Sequence, residues 1–205
     1  MRCRRHVVLF VKAPRLGAVK RRLAAGVGAA EALAFYRATL ATVARRLGTD
    51  PRWTLWLAVT PDRAAVAARA WRFGLRRPVA LRPQGAGDLG RRMGRMFAAL
   101  PPGPVVIVGS DIPDLDRRHV AAAFARLAAS ELVFGPAADG GYWLIGARGA
   151  ARRGDLFRGV RWSTGHALAD TRANVPRGRR VALVDELADI DDAAALADWR
   201  ARRQY

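Results

Sequence analysis

The stretch Val105–Leu115, VVIVGSDIPDL, narrows most sharply what this chain can fold into. Val105, Val106, Ile107 and Val108 follow one another without polar alternation, as in a strand covered on both faces of a parallel sheet. Glycine, serine and aspartate come next, so the chain leaves the sheet there. Open α/β sheets bind ligands outside the carboxyl ends of their strands, and Asp111 stands at such an end. Two readings of Asp111 stay open: a carboxylate ligand for a metal ion, or a turn residue stiffened by Pro113.

The rest of the chain repeats the same kind of unit. His6–Val11 reads as a first strand. Ala29–Leu47 carries Leu33, Tyr36, Leu40, Val43 and Leu47 at about helical spacing, with Gly48 as a stop. Trp53–Val59 predicts a second strand, and Thr60-Pro61-Asp62 an N-cap and first turn for a helix to about Trp71. Pro78–Leu81 gives a short third strand, and a further helix runs through Phe97. Asp116 opens a helix with Val120, Phe124 and Leu127 on one face. Strands follow at Glu131–Phe134 and in YWLIG, then a helix capped by Ser163 or Thr164, a strand RVALV and a last helix from about Asp191. This alternation predicts an α/β fold: a single Rossmann-like domain spanning 1–205, with a twisted, mainly parallel sheet and helices on both faces. A length of 205 residues with 51% hydrophobic content suffices for one core.

Three loops carry candidate chemistry. Lys12-Ala-Pro-Arg-Leu-Gly-Ala-Val-Lys20-Arg-Arg22 puts cations directly after the first strand, where nucleotide-binding α/β folds hold phosphates. The loop matches neither GxxxxGK[ST] nor GxGxxG, and a solvated basic loop is the competing reading. Gln84 and Asp88 sit among three glycines in QGAGDLG, which lets backbone approach a ligand, though Asp88 is equally an acidic first turn for the next helix. Asp139 precedes Gly140 and Gly141. Alone that is an ordinary turn; paired with Asp111 it offers two carboxylates from neighbouring strand ends, a set that suits Mg²⁺ or Mn²⁺. Asp185, Asp189, Asp191 and Asp192 form a late acidic cluster, of which Asp191 or Asp192 reads as a helix cap while a site role stays open for the others. His6, His119 and His166 lack zinc-ligand spacing, and no GxSxG elbow is present.

The net charge of +19 raises a nucleic-acid reading. Only Lys12 and Lys20 are lysines, and the abundant arginine accompanies abundant alanine, a pairing that reflects GC-rich coding. The arginines are spread along the chain without interleaved aromatics, which argues against specific nucleic-acid binding and leaves a field that favours a small anionic substrate. Cys3 alone excludes an internal disulfide framework. With no apolar run of about 18 residues and no signal-peptide pattern, the expectation is a cytoplasmic protein without a membrane span.

Taken together, FVKAPRLGAVKRRLA, QGAGDLGRRM, VVIVGSDIPDL, FGPAADGGYWLIG and FRGVRWST, in this order over nearly the whole chain, resemble a bacterial family. It comprises the glycosyltransferase-A-like, radical-SAM and selenodomain-associated transferases. These lie in the nucleotide-diphospho-sugar transferase superfamily, beside the molybdenum-cofactor and phospholactate guanylyltransferases. The resemblance implies that Lys12, Lys20 and Arg22 contact nucleotide phosphates, that Asp111 ligates a divalent metal, and that Asp139 is a second acidic site residue. Arg21 stands where the family pattern usually has threonine, and the Asp-x-Asp motif is not literal, since Asp114 follows Asp111 at three residues. The expected activity is metal-dependent glycosyl transfer from a nucleotide sugar to an acceptor the sequence does not name. Nucleotidyl transfer with pyrophosphate release, and nucleotide binding without turnover, are the alternatives.

Overall fold

β1 (Arg5–Lys12) is the strand on which the sheet is built. The computed structural model describes residues 4–67 and 79–203. β1 lies between β2 (Trp53–Thr60) and β4 (Val105–Gly109), parallel to both, and β3 (Ala80–Pro83) extends the sheet beyond β2. On the other side β6 (Tyr142–Ala147) runs antiparallel between β4 and β5 (Leu132–Pro136), and β7 (Val181–Leu183) closes the edge parallel to β5. The order is β3-β2-β1-β4-β6-β5-β7, a mainly parallel seven-stranded sheet with one reversed strand.

Strand periodicity explains the unbroken apolar runs. Val7, Leu9, Val11, Val106 and Val108 belong to one core, while Val8, Val105 and Ile107 belong to the core on the opposite face. α2 (Ala29–Gly48) covers the first face through Tyr36, Leu40, Val43 and Leu47, beside α5 (Arg117–Ala129) with Val120, Phe124 and Leu127. α4 (Leu89–Ala99) covers the second face with Met93, Met96 and Phe97. α5 begins with a capping box: the Asp116 side chain accepts from Arg118 N, and the Asp116 backbone N–H donates to His119 Nδ1.

Several expectations are corrected. Thr60 does not cap a helix: it is still paired with Lys12 in the sheet, its carbonyl accepts from Ala13 N, and the next helix, α3 (Ala64–Ala67), starts four residues later. The expected continuation to Trp71, and Pro78 of the third strand, lie outside the described residues. The basic loop ends at Lys20, because Arg21–Val27 forms a short helix, α1, which Leu23 anchors against Ile190 and Leu196. α6 (Ala167–Ala173) has His166 at its N-cap in place of Ser163 or Thr164; the Thr164 hydroxyl donates to Arg161 O instead. Among Asp191 and Asp192 it is Asp192 that caps the last helix, α7 (Ala193–Ala201), accepting from Ala195 N at 2.9 Å.

Every parallel strand ends on the same edge of this sheet, and the chain direction changes sides between β1 and β4. That switch point is where the geometry opens a crevice for a ligand.

Candidate functional site

The crevice is a cleft of about 680 Å³ lined by Lys12, Lys20, Arg21, Arg22 and Arg92 on its cationic side and by Asp111 and Asp191 on its acidic side. Tyr36 fixes its floor. The Tyr36 hydroxyl donates to Lys12 O at 2.8 Å, accepts from Lys12 N at 3.1 Å and lies 3.1 Å from Ser110 Oγ, joining the end of β1 to the start of the Asp111 turn. Burial, ahead of the nearby Asp111 charge, pushes the phenol up to about 12. The turn itself is anchored by Ile112 and Leu115, both buried, and by Arg46, which donates to Pro113 O and Leu115 O.

Asp111 converges with Asp189 and Asp191. One carboxylate oxygen from each lies within 4.8 Å of the others. Chain direction accounts for this meeting. β7 is parallel to β5, so residues 184–191 leave the sheet at the same edge as Asp111 and run along it, held by Val184 N to Phe134 O and Leu187 N to Pro136 O. Lys20, at the left-handed junction before α1 (φ 47°), sends its ammonium into the cluster. Its Nζ is 2.8 Å from Asp111 Oδ2, 2.6 Å from Asp191 Oδ1 and 4.0 Å from Asp189 Oδ2, with only 4% of the side chain exposed.

The electrostatics follow from that crowding. Burial, then the Asp191 and Asp111 charges, raise the Asp189 carboxyl to about 6. For Asp191 burial pushes the same way, but the Lys20 charge and hydrogen bond outweigh it and hold the group below its ordinary value. Burial would depress the Lys20 ammonium, yet Asp111 and Asp191 together raise it.

The other expected site residues fall as follows. Lys12 and Arg22 line the cleft, Lys12 exposed at its mouth and Arg22 facing Asp192 at 3.4 Å. Gln84 is buried in the cleft lining, donating to Val11 O and Ala58 O, so its amide ties the ends of β1 and β2. Asp88 accepts from Arg91 N at 2.8 Å as the N-cap of α4 and lies outside the cleft lining. Asp139 accepts from Gly141 N at 2.9 Å and its charge reaches Asp189, but it is outside the group that gathers at Asp111.

Sequence reasoning gave Arg92 no role, read Ser163 only as a helix cap, and noted Asp189 and Asp191 in an acidic cluster without joining them to Asp111. Ser163 lines the cleft with a left-handed backbone (φ 60°), rare for a residue with a Cβ. Its loop is held by Arg161, whose Nε and Nη2 meet Asp170 at 2.9 and 2.8 Å.

Three carboxylates at such spacing fit a small divalent cation after modest closure, since Mg²⁺ and Mn²⁺ take oxygen ligands and complete their shell with water and phosphate. The strand order with its one reversed strand, and the cationic cleft ending on an acidic cluster, define a protein of nucleotide-diphospho-sugar transferase type. Residues 42–164 match the family described as "Uncharacterized protein conserved in bacteria (DUF2064)", and the chain belongs to that family. A comparison with curated proteins gives no match.

Among solved structures, one similar protein comes from Desulfovibrio desulfuricans G20 and is provisionally assigned as a nucleotide-diphospho-sugar transferase. It is 30% identical, over 92% of this chain and 82% of that one, with a TM-score of 0.80. The fold is shared with 4-diphosphocytidyl-2C-methyl-D-erythritol synthase from Anaerococcus prevotii DSM 20548, at 12% identity, 99% of each chain and a TM-score of 0.60. It is shared as well with glucosyl-3-phosphoglycerate synthase from Mycobacterium tuberculosis, solved with Mn²⁺, uridine diphosphate and phosphoglyceric acid. There the identity is 15%, over 98% of this chain and 75% of that one, with a TM-score of 0.55.

Proposed function

We propose that this transferase moves a glycosyl group from a nucleotide sugar to a small acceptor, with a divalent ion at Asp111, Asp189 and Asp191, and that its 205 residues act as one domain. The observation that carries the reading is the meeting, on one sheet edge, of that acidic group with the cations of a cleft large enough for a nucleotide. When bound, the ion would neutralise the charge that develops on the leaving diphosphate. Lys12, Lys20 and Arg22 share that task by holding phosphate oxygens, and fixed cations aimed at developing charge stabilise it without reorganisation. Tyr36 keeps Lys12 and the Asp111 turn in register. The Asp139 charge, which reaches Asp189, would add to the acidic field that holds the ion.

Nucleotidyl transfer from a nucleoside triphosphate is the second reading. Five cations, Lys12, Lys20, Arg21, Arg22 and Arg92, line the cleft, and they match the charge of a triphosphate as well as that of a diphosphate. Thermal melts with nucleoside di- and triphosphates and nucleotide sugars, each with Mg²⁺ or Mn²⁺, test both. A ligand at one hundred times its dissociation constant adds about 2.7 kcal/mol of stability. Products then separate the readings: a nucleoside diphosphate marks glycosyl transfer, pyrophosphate marks nucleotidyl transfer, and a shift without product marks binding alone. The absence of any metal-dependent shift across the panel overturns the proposal.

A further inference from the structure

Lys20 occupies the acidic site that the metal reading assigns to an ion. Its ammonium bonds Asp111 Oδ2 and Asp191 Oδ1 and faces Asp189 Oδ2, the same three carboxylates that gather within ligand distance of one another. Lys20 has left-handed backbone at a helix junction, uncommon for a residue with a Cβ, and its side chain is turned inward, away from water. Among the described residues no other carboxylate or carbonyl partners that ammonium.

From this geometry we infer that Lys20 is a built-in counter-ion, which a metal alone displaces only at high concentration and a metal with phosphate displaces readily, so that the site takes a metal–phosphate complex in preference to the free metal. The inference rests on the metal reading above. A divalent ion bonding oxygens of Asp111 and Asp191 must take them from the ammonium, and the two cations repel at that spacing. Without phosphate the displaced ammonium would be left in a largely dry pocket with no anion, which is unfavourable. Phosphate oxygens in the cleft supply the missing partner. Metal and phosphate therefore favour each other through Lys20, and by linkage the coupling is reciprocal.

Mn²⁺ titrations followed by electron paramagnetic resonance, with and without pyrophosphate, test this on wild type, Lys20→Met and Asp111→Asn. Lys20→Met is expected to bind Mn²⁺ alone about tenfold or more tighter than wild type, the equivalent of one charge-assisted hydrogen bond. It is also expected to lose the gain that pyrophosphate gives wild type. If Lys20→Met binds Mn²⁺ no tighter while Asp111→Asn abolishes binding, the metal site stands and the exchange is wrong. If wild type and Lys20→Met both fail to bind Mn²⁺ with pyrophosphate present, the metal reading falls and takes this one with it.

A second measurement needs no variant, because Lys12 and Lys20 are the only lysines and Lys12 is exposed. Amine labelling read by mass spectrometry should modify Lys20 more slowly than Lys12 in metal-free protein, faster at saturating Mg²⁺, and slowly again once pyrophosphate is added. Lys20 labelling that Mg²⁺ leaves unchanged overturns the exchange.

Discussion

Gly140→Ala tests whether the Asp139 turn and the Ser163 loop are one mechanical unit. Gly140 has φ 79°, and a Cβ there would meet Gly165 O at 2.2 Å and the Gly165 Cα and C at 2.7 Å, all backbone atoms. Gly140 O also accepts from Leu168 N at 3.1 Å, which fastens the turn to the first residues of α6. A left-handed backbone costs alanine about 1–2 kcal/mol. Forcing the two loops apart adds about 1–3 kcal/mol, the range for overpacking a close contact. The expected loss is thus about 2–5 kcal/mol, with weaker nucleotide binding as Ser163 moves off the cleft wall. Gly178→Ala is the control: it has φ 83° but nothing within 4 Å of a Cβ, so it should lose only the backbone share. Urea unfolding followed by the fluorescence of the six tryptophans gives both values, provided the slopes agree. Equal losses for the two variants would refute the close contact as the cause.

Three further outcomes follow from the site and the charge. Asp88→Ala should lose about 0.5–2 kcal/mol in a melt, as for an N-cap, and keep its nucleotide affinity; a tenfold weaker affinity would make Asp88 a ligand. Because the folded-state Asp189 carboxyl is raised to about 6 from 3.8, first by burial and then by Asp191 and Asp111, the folded protein keeps a proton that the unfolded chain has released between those values. The Asp189 contribution to metal-free stability should therefore fall as pH rises through that window, while His6 and His119, lowered by burial, contribute the opposite sign. Asp189→Asn should remove the falling share in urea melts, and equal pH slopes for wild type and Asp189→Asn contradict the assignment. Duplex DNA should bind weakly, without sequence preference, and dissociate by about 0.2 M salt in a fluorescence-anisotropy titration, since the arginines provide charge and no base-reading surface; selective binding that survives that salt would contradict this.

The sheet was legible in the sequence because its strands are covered on both faces: Val105–Val108 and Val7–Val11 read as unbroken apolar runs for that reason. Asp111 was legible too, since strand, glycine and carboxylate in succession mark a sheet edge. α1 was not, because its seven residues bury only Leu23 and follow a loop rich in cations. Nor were Asp189 and Asp191. They follow the shortest strand, Val181–Leu183, and sit one to three residues before Asp192, whose cap role is the reading that an acidic residue ahead of a helix ordinarily invites. The available signal was topological: a strand parallel to β5 delivers its successor to the same edge as Asp111. Asp139 reaches that edge as well, but its carboxylate is turned to its own Gly141 amide, a local bond that spacing alone does not reveal.

The proposed transfer requires a divalent ion shared by Asp111, Asp189 and Asp191 at the carboxyl edge of the sheet. Crystals grown with Mn²⁺ and a nucleoside diphosphate, measured at the manganese absorption edge, test it directly. One anomalous peak is expected among these three carboxylates, with diphosphate oxygens completing its shell and the Lys20 ammonium turned toward them. A peak elsewhere, or nucleotide density in the cleft with no peak at Asp111, would contradict it.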